Sequence, residues 1–228
     1  MSLPRLVFAT RNPGKIKEIA ALLDGHFEVI GLDEIGCAED IPETSDTIEG
    51  NAIQKAEYVK RHYGVDCFAD DTGLEVDALG GAPGVYTARY GGPEKDAEAN
   101  MSKLLSALGD RSDRGAQFRT VIALTGPEGT RAYEGVCRGR IAEVRSGTDG
   151  FGYDPIFIPE KSERTRTTRA CHPSSTSYPQ FIYRRACSPY TVHNASPNLP
   201  PWAEFSPRSP FLPADPMALK VDLLKHSP

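Results

Sequence analysis

Two adjacent aspartates, Asp70 and Asp71, follow the apolar run "CFA" and precede Thr72 and Gly73. Unpaired carboxylates are costly at the edge of a core, so they must be solvated, paired or bound to a cation. Adjacent side chains on an extended backbone point to opposite faces, so only one aspartate needs to face a ligand. A carboxylate in that position can bind Mg²⁺ or accept a proton from water. An Asx turn that closes the strand is the alternative.

The segment "TRNPGK", Thr10 to Lys15, lies between a predicted strand and a predicted helix. Backbone N–H groups and the positive end of the helix dipole favour phosphate at such a position. Thr10 and Asn12 add side-chain hydrogen bonds, and Lys15 adds a positive charge. The segment is not a P-loop, because a glycine and a hydroxyl that this motif requires are missing. An Asn-Pro-Gly turn with a surface lysine is the alternative.

A third group of polar residues lies around the start of the next predicted helix. Glu43 comes just before the helix, and Asn51 and Lys55 are four residues apart on one helix face. A carboxylate beside an Asn/Lys pair can hold a metal–phosphate assembly. A helix cap and a solvated face are the alternative.

The fourth candidate is "GTDGFGYDPIF", Gly147 to Phe157. Glycines on both sides of Phe151 allow a flat ligand to approach the backbone closely. Phe151 and Tyr153 offer stacking surfaces, and Asp154 offers a hydrogen-bond acceptor. A rigid turn before an apolar strand is the alternative.

Four segments together resemble the inosine triphosphate pyrophosphatase family, also called Ham1-like or XTP/dITP diphosphatases. They are "FATRNPGKIKEI", "ETSDTIEGNAIQKA", "ADDTGLEVDALGGAPGVYTARYGG" and "GTDGFGYDPIF", in the order of that family, and the resemblance runs from about Leu6 to Pro159. It implies an α/β fold with a long mixed sheet flanked by helices, a nucleotide cleft between two lobes and a homodimer. It also implies Mg²⁺-dependent hydrolysis of non-standard purine nucleoside triphosphates (ITP, dITP, XTP) to the monophosphate and pyrophosphate.

The resemblance further implies roles for individual residues. Asp71 is implied as the proton acceptor and as a metal ligand, with Glu43 as the second metal carboxylate. Asp70 either holds the turn or assists the metal. The implied contacts to the nucleoside triphosphate are Thr10, Arg11, Asn12, Pro13, Gly14, Lys15, Lys55, Thr72, Phe151, Gly152, Tyr153 and Asp154.

The resemblance stops after "FIPE". The family continues with an acidic helical stretch, a lysine and a Ser-His-Arg motif that contacts the 6-oxo edge of the purine, and this sequence contains no "SHR". All 21 glycines lie before residue 161, whereas 11 of the 19 prolines lie from residue 161 onward. We therefore predict a C-terminally incomplete nucleotide pyrophosphatase domain at 1–160. An atypical Pro/Ser/Arg-rich tail at 161–228 is predicted to be disordered or frameshift-derived, with a lineage-specific extension as the alternative.

The missing motif makes impaired activity an expectation. A catalytically inactive, nucleotide-binding remnant of the family is the alternative function, and metal-dependent release of pyrophosphate separates the two. The related Maf-like nucleotide pyrophosphatases rank low, because their opening Ser-Pro-Arg-Arg-type loop is absent.

Bulk composition is that of a soluble protein, with 39% hydrophobic and 25% charged residues among 228. No apolar run approaches the roughly 20 residues of a membrane span, and no signal peptide precedes the first strand, which predicts a cytoplasmic protein without membrane contact. The five cysteines form no C-x-x-C pair and indicate free thiols. A net charge of -5 argues against a nucleic-acid partner.

The elements that must position these residues alternate between helical and extended periodicity. The predicted strands are "RLVFAT", "FEVIGL", "VDCFAD" and "LEVDAL", and a hairpin turns at "GPEG". The predicted helices are "KIKEIAALLD", "TSDTIEGNAIQKAEYVKRHYG" and "DAEANMSKLLSALGD". This order favours a mixed α/β sheet over a purely parallel one.

Overall fold

The computed structural model describes residues 2–23, 25–147 and 152–160. Within them lie seven strands: β1 (Arg5–Phe8), β2 (Glu28–Ile30), β3 (Cys67–Val76), β4 (Pro83–Gly84), β5 (Gly115–Gly126), β6 (Gly129–Ile141) and β7 (Phe157–Pro159). The α-helices of the same residues are α1 (Pro13–Leu22), α2 (Ile48–Tyr63) and α3 (Ala97–Leu108). Short 3₁₀ helices occur at Asp33–Ile35, Asp77–Leu79 and Thr87–Arg89. Phe151 and the predicted tail 161–228 lie outside the described residues.

The strands form one mixed sheet, which confirms the predicted fold class. Its order is β2-β1-β3-β5-β6-β7, with β4 paired to β3. Strand β1 is parallel to β2 and β3, whereas all the other pairs are antiparallel. The predicted "GPEG" hairpin is confirmed, since β5 and β6 pair along their whole length around this turn. No helix among the described residues is both long and apolar enough to cross a membrane.

Strand β3 is longer than the sequence predicted. It does not end at Asp70 but continues through Asp71 to Val76, so the Asx-turn interpretation is wrong. The reason is that β5 pairs with β3 without interruption from Phe68 to Val76. In the predicted strand "LEVDAL" the first three residues complete β3, and Asp77–Leu79 forms a 3₁₀ helix instead.

Helix α1 begins earlier than predicted. Pro13 and Gly14 belong to the helix and not to a preceding turn, because Asn12 caps it and proline is compatible with the first helical turn. Helix α2 is confirmed, including its end at Gly64, whose φ of 68° is readily adopted by glycine.

The three helices cover different parts of the sheet. Helix α1 packs on the face that contains Phe68, and α2 packs on the opposite face, which contains Ala69. Helix α3 packs against Leu74 and the far half of the β5–β6 hairpin. Cys37, Cys67 and Cys137, the cysteines within the described residues, are buried thiols.

Candidate active site

Asp70 and Asp71 lie on opposite faces of the sheet. Asp70 is two residues after Phe68 and shares its face of the sheet, which α1 covers. Asp71 is two residues after Ala69 and shares the opposite face, which α2 covers. The alternation of side chains along an extended strand therefore separates the two carboxylates despite their adjacency in sequence.

Asp70 is buried, with 3% of its side chain exposed, and it forms an ion pair with Lys15. The Nζ atom of Lys15 donates to Oδ2 at 2.7 Å and to Oδ1 at 3.0 Å. Lys15 is on the first turn of α1, so this pair fixes the phosphate-binding candidate segment to β3. The sequence predicted Lys15 as a free point charge and left the role of Asp70 open.

Asp71 is held by the neighbouring helix. The Nδ2 atom of Asn51 donates to Oδ2 of Asp71 at 3.2 Å, and the backbone N–H of Thr72 donates to Oδ1 at 3.0 Å. Asn51 is itself 2% exposed, and its Oδ1 accepts from the backbone N–H of Ser45 at 2.9 Å. The sequence had grouped Asn51 with Lys55 on one helix face beside a carboxylate, but it did not indicate that Asn51 binds Asp71.

Lys55 lies between the two predicted metal carboxylates. Its Nζ atom donates to Oε1 of Glu43 at 2.6 Å and lies 3.9 Å from Oδ1 of Asp71. Burial acts to lower the pKa of Lys55, but the negative charges of Asp70, Asp71 and Glu43 outweigh it and raise that pKa. Lys55 is therefore a permanent cation at neutral pH and links the two carboxylate environments electrostatically.

The pKa of Asp71 is raised above the ordinary aspartate value, first because the carboxylate is buried. The neighbouring charges of Glu43 and Asp70 raise it further, whereas Lys55 and the hydrogen bond from Asn51 act in the opposite direction. A carboxylate with a raised pKa is a stronger proton acceptor once ionised.

The Thr10–Lys15 segment forms the N-terminus of α1. Oδ1 of Asn12 accepts from the N–H groups of Gly14 and Lys15 at 2.9 and 3.3 Å, and Pro13 occupies the first helical position. The hydroxyl oxygen of Thr10 accepts from the backbone N–H of Asn12 at 3.2 Å. The structure thus brings this segment next to Asp70 through Lys15.

Arg11 points away from this turn. Its NH2 atom donates to the carbonyl oxygens of Cys37 at 2.7 Å and Glu39 at 2.6 Å. The same guanidinium lies 3.1 Å from Asp40 and 3.4 Å from Asp33. Arg11 therefore fastens the loop 33–40 in this structure, a contact that the sequence motif does not reveal.

The remaining predicted contacts fall in two places. The hydroxyl of Thr72 lies 2.8 Å from the hydroxyl of Thr120 on β5. Thr120 is buried, with 2% of the residue exposed. Tyr153 and Asp154 are 3% and 5% exposed, and the Tyr153 ring belongs to the core beside α3. Burial of this ring favours packing over the predicted stacking role. Gly152, at φ 60°, is the first described residue before it.

The arrangement fits a magnesium ion held by few protein ligands. Glu43 and Asp71 already converge on one cation, the ammonium group of Lys55. No cluster of three or more His, Cys, Asp or Glu suited to a metal occurs in the part of the chain that the structure describes. Mg²⁺ is commonly held by one or two carboxylates together with substrate phosphates, so this donor set suits it better than an all-protein cage.

The fold and the site define a mixed α/β protein whose central strand carries a carboxylate on each face, each near a lysine from a flanking helix. A profile of the Ham1 family matches residues 6–173, and the chain belongs to this family. The dITP/XTP pyrophosphatase of Christiangramia forsetii is 57% identical over 159 residues, covering 70% of this chain and 84% of that protein. The protein of the same name from Bacillus subtilis is 47% identical over 163 residues, 70% of this chain and 82% of that protein.

Solved structures agree with the family assignment. The Staphylococcus aureus Ham1 protein superposes with a TM-score of 0.72 at 40% identity, covering 80% of this chain and 93% of that one. A HAM1 protein from Coxiella burnetii gives a TM-score of 0.71 at 35% identity, covering 79% and 94%.

Proposed function

We propose that this protein hydrolyses non-standard purine nucleoside triphosphates (dITP, ITP and XTP) to the monophosphate and pyrophosphate and so removes them from the nucleotide pool. The observation that carries the proposal is the half-buried Asp71 carboxylate, which lies near the cation Lys55 and is oriented by Asn51. The names of the relatives, dITP/XTP pyrophosphatases at 57% and 47% identity, support this substrate class.

Asp71 is the proton acceptor in this proposal. Its carboxylate takes a proton from the attacking water. The positive charge of Lys55 keeps the carboxylate ionised before the reaction. Asn51, which donates to Oδ2, and the backbone N–H of Thr72, which donates to Oδ1, hold the carboxylate in one orientation.

The N-terminus of α1 holds the triphosphate. Thr10 and Asn12 supply hydrogen bonds there, and Lys15 supplies a positive charge against the leaving pyrophosphate. Its ion pair with Asp70 sets the position of the ammonium group. Asp70 is therefore assigned to orient Lys15 and not to close a turn.

Glu43 and Asp71 are the residues that would hold Mg²⁺, with the phosphates completing its ligands. Bound Mg²⁺ would neutralise negative charge that builds up on the triphosphate. Lys55 lies between the same carboxylates and would contact a phosphate of the substrate.

Gly152, Tyr153 and Asp154 form the nucleoside side of the proposed site, and Thr72 contacts the substrate from β3. The family resemblance adds Phe151, which lies outside the described residues. No Ser-His-Arg motif follows in the sequence. A site built around such donors can lose discrimination of about 10⁴ when they are missing. We therefore propose an enzyme that releases pyrophosphate but separates 6-oxo purines from adenine poorly.

We also propose that the protein is a cytoplasmic homodimer without a nucleic-acid partner. The family resemblance supports the dimer, and the free buried thiols are compatible with a reducing compartment. Light scattering on the purified chain gives the molar mass directly, and a value of one chain, 24.8 kDa, contradicts the dimer.

The function is tested by pyrophosphate release from dITP, XTP, dATP and dGTP with and without Mg²⁺. Asp71→Asn is the active-site variant. Asp66→Asn is its matched control, because Asp66 is a solvent-accessible carboxylate paired with Lys60 just before β3. We expect Mg²⁺-dependent turnover in the wild type and in Asp66→Asn, and none in Asp71→Asn.

The substrate comparison tests selectivity in the same experiment. Turnover of dATP comparable to that of dITP supports the loss of purine discrimination, whereas strong preference for dITP and XTP contradicts it. A folded wild type that binds dITP without releasing pyrophosphate indicates the alternative, an inactive nucleotide-binding remnant.

A further inference from the structure

Thr87, which lies in the third family-like segment but was given no role, connects three segments near the proposed site. Its hydroxyl accepts from the backbone N–H of Leu74 at 2.7 Å and donates to the carbonyl oxygen of Gly84 at 2.6 Å. Leu74 lies in β3, three residues after Asp71. The hydroxyl thus joins the catalytic strand to the loop at residues 84–92.

The third segment reaches Thr87 through its backbone. The hydroxyl of Tyr153 donates to the carbonyl oxygen of Thr87 at 3.0 Å. The Tyr153 carbonyl in turn accepts from the N–H groups of Ile156 and Phe157, both at 3.0 Å. The turn that contains Tyr153 is therefore tied to Thr87 by the one polar atom of its buried ring.

Helix α3 keeps this junction rigid. The buried side chain of Asn100 accepts from the N–H of Gly91 and donates to the carbonyl oxygen of Ala88 at 3.0 Å. The Nζ atom of Lys103 donates to the carbonyl oxygen of Tyr90 at 2.7 Å. Thr87 is thus held from the helix side as well as from β3.

We infer that Thr87 and Tyr153 are positioning residues that set the nucleoside side of the active site at a fixed distance from Asp71. The inference rests on the proposed function and deepens it, because it assigns the buried Tyr153 to placing its turn instead of stacking on a base. A small displacement of one substrate half relative to a catalytic group reduces turnover strongly, and this junction prevents such a displacement.

Three variants and one control test the hydroxyl groups of Thr87 and Tyr153. Thr87→Val and Tyr153→Phe each remove a hydroxyl group while nearly keeping the shape of the side chain. Thr87→Ser keeps the hydroxyl group and removes only the methyl group. Thr125→Val is the matched control. The buried Thr125 hydroxyl bridges the backbone of Cys67 at the other end of β3, accepting from its N–H at 2.8 Å and donating to its carbonyl at 3.0 Å. Thr125→Val therefore reproduces the loss of stability expected for Thr87→Val without changing the contact between Thr87 and Tyr153.

The readout separates the two halves of the substrate without requiring turnover. Equilibrium dialysis with Mg²⁺ measures the binding of inosine monophosphate, which reports the nucleoside side, and of inorganic pyrophosphate, which reports the phosphate side. We expect Thr87→Val to weaken inosine monophosphate binding about fivefold or more, the factor for one lost buried hydrogen bond, and to leave pyrophosphate binding within about twofold. Tyr153→Phe should act in the same direction, Thr87→Ser should bind like the wild type, and Thr125→Val should change neither constant.

Equal weakening of both ligands by Thr87→Val, or unchanged inosine monophosphate binding, overturns the inference. A wild type that binds both ligands but releases no pyrophosphate contradicts the proposed hydrolysis while leaving this placement of the nucleoside intact. The two failures are therefore distinguishable.

Discussion

The ammonium group of Lys15 lies 2.7 Å from a carboxylate oxygen of Asp70, whose side chain is only 3% exposed. The pair joins the first turn of α1 to the middle of β3, on the sheet face opposite to Asp71. In the function proposed above, Asp70 orients Lys15 towards the phosphates, while Asp71 accepts the proton of the attacking water.

Removal of Lys15 is expected to destabilise the protein strongly. Lys15→Met takes a charged partner from a buried carboxylate, which costs about 3 kcal/mol in the free energy of unfolding. The double variant Lys15→Met/Asp70→Asn removes both charges and should recover part of that loss. Urea denaturation of the two single variants and the double variant gives the coupling energy. Lys17→Met, on the exposed side of α1, is the control, and a loss there equal to that of Lys15→Met contradicts the prediction.

Asn51 is expected to affect catalysis more than stability. Asn51→Leu removes the donor that orients Asp71, so kcat for dITP should fall about tenfold or more while KM changes little. Gln54→Ala is the matched control. Gln54 lies one turn further along α2, and its side chain also hydrogen-bonds the preceding loop, at Thr44, but does not contact Asp71. A similar fall in kcat in both variants would show that loop anchoring, and not orientation of Asp71, is the cause.

Sequence patterns predicted most elements of this fold because those elements carry their own signals. Helix α2 has an apolar face, a Thr47 cap and a terminal Gly64, and the β5–β6 hairpin has its "GPEG" turn. The extent of β3 was not predictable, because "DDTG" has turn chemistry and only the pairing with β5 keeps it extended.

Side-chain pairings were less predictable than elements. The family resemblance placed Glu43, Lys55 and Asp71 in one site, and these three side chains do lie together. It did not indicate that Arg11 turns to the loop 33–40 or that the Tyr153 ring is buried. Those two orientations depend on contacts with residues distant in sequence, which local periodicity does not contain.

Arg11 is expected to stabilise the loop at residues 33–40 rather than bind phosphate. Arg11→Lys retains the charge, but one ammonium group cannot replace a planar guanidinium that bonds two carbonyl oxygens and approaches two aspartates. We expect a loss of about 1–2 kcal/mol in the free energy of unfolding and unchanged pyrophosphate binding. Urea denaturation and equilibrium dialysis measure the two quantities. Arg5→Lys, in an exposed pair with Glu28, is the control. Weaker pyrophosphate binding at unchanged stability would assign Arg11 to the phosphates.

Gly73 is expected to tolerate no side chain. A Cβ atom there would lie 2.7 Å from the carbonyl oxygen of Gly84 and 2.6 Å from Cδ1 of Ile48, so Gly73→Ala must push β4 away from β3. We expect a cost of about 1–3 kcal/mol in urea denaturation, together with reduced pyrophosphate release, since Asp71 is two residues away. Gly115→Ala is the comparison, because the atoms nearest to its Cβ belong to the carboxylates of Asp77 and Asp113, which can rotate away. Equal stability of the two variants contradicts the steric argument.

The contribution of Glu39 to the free energy of unfolding is expected to depend on pH through Tyr63. The Tyr63 hydroxyl donates to the carboxylate of Glu39 and lies 2.7 and 2.8 Å from its two oxygens. This hydrogen bond is the first cause that lowers the pKa of Glu39 below the ordinary value of 4.5. A carboxylate whose pKa is lower in the folded state stabilises the fold above its unfolded pKa and loses that contribution as pH falls through the folded pKa.

Tyr63→Phe removes the donor, so this variant should be less stable than the wild type at about pH 7 and should approach the stability of the wild type at about pH 3. Urea denaturation across this range measures the difference, and NMR titration of the Glu39 carboxyl carbon should show its pKa rising towards 4.5 in the variant. Tyr58→Phe, which removes a weaker donor to the same carboxylate at 3.1 Å, should give a smaller shift in the same direction. A stability difference between wild type and Tyr63→Phe that stays constant with pH would assign the effect of Tyr63 to packing in the core beside α2 instead of to the Glu39 hydrogen bond.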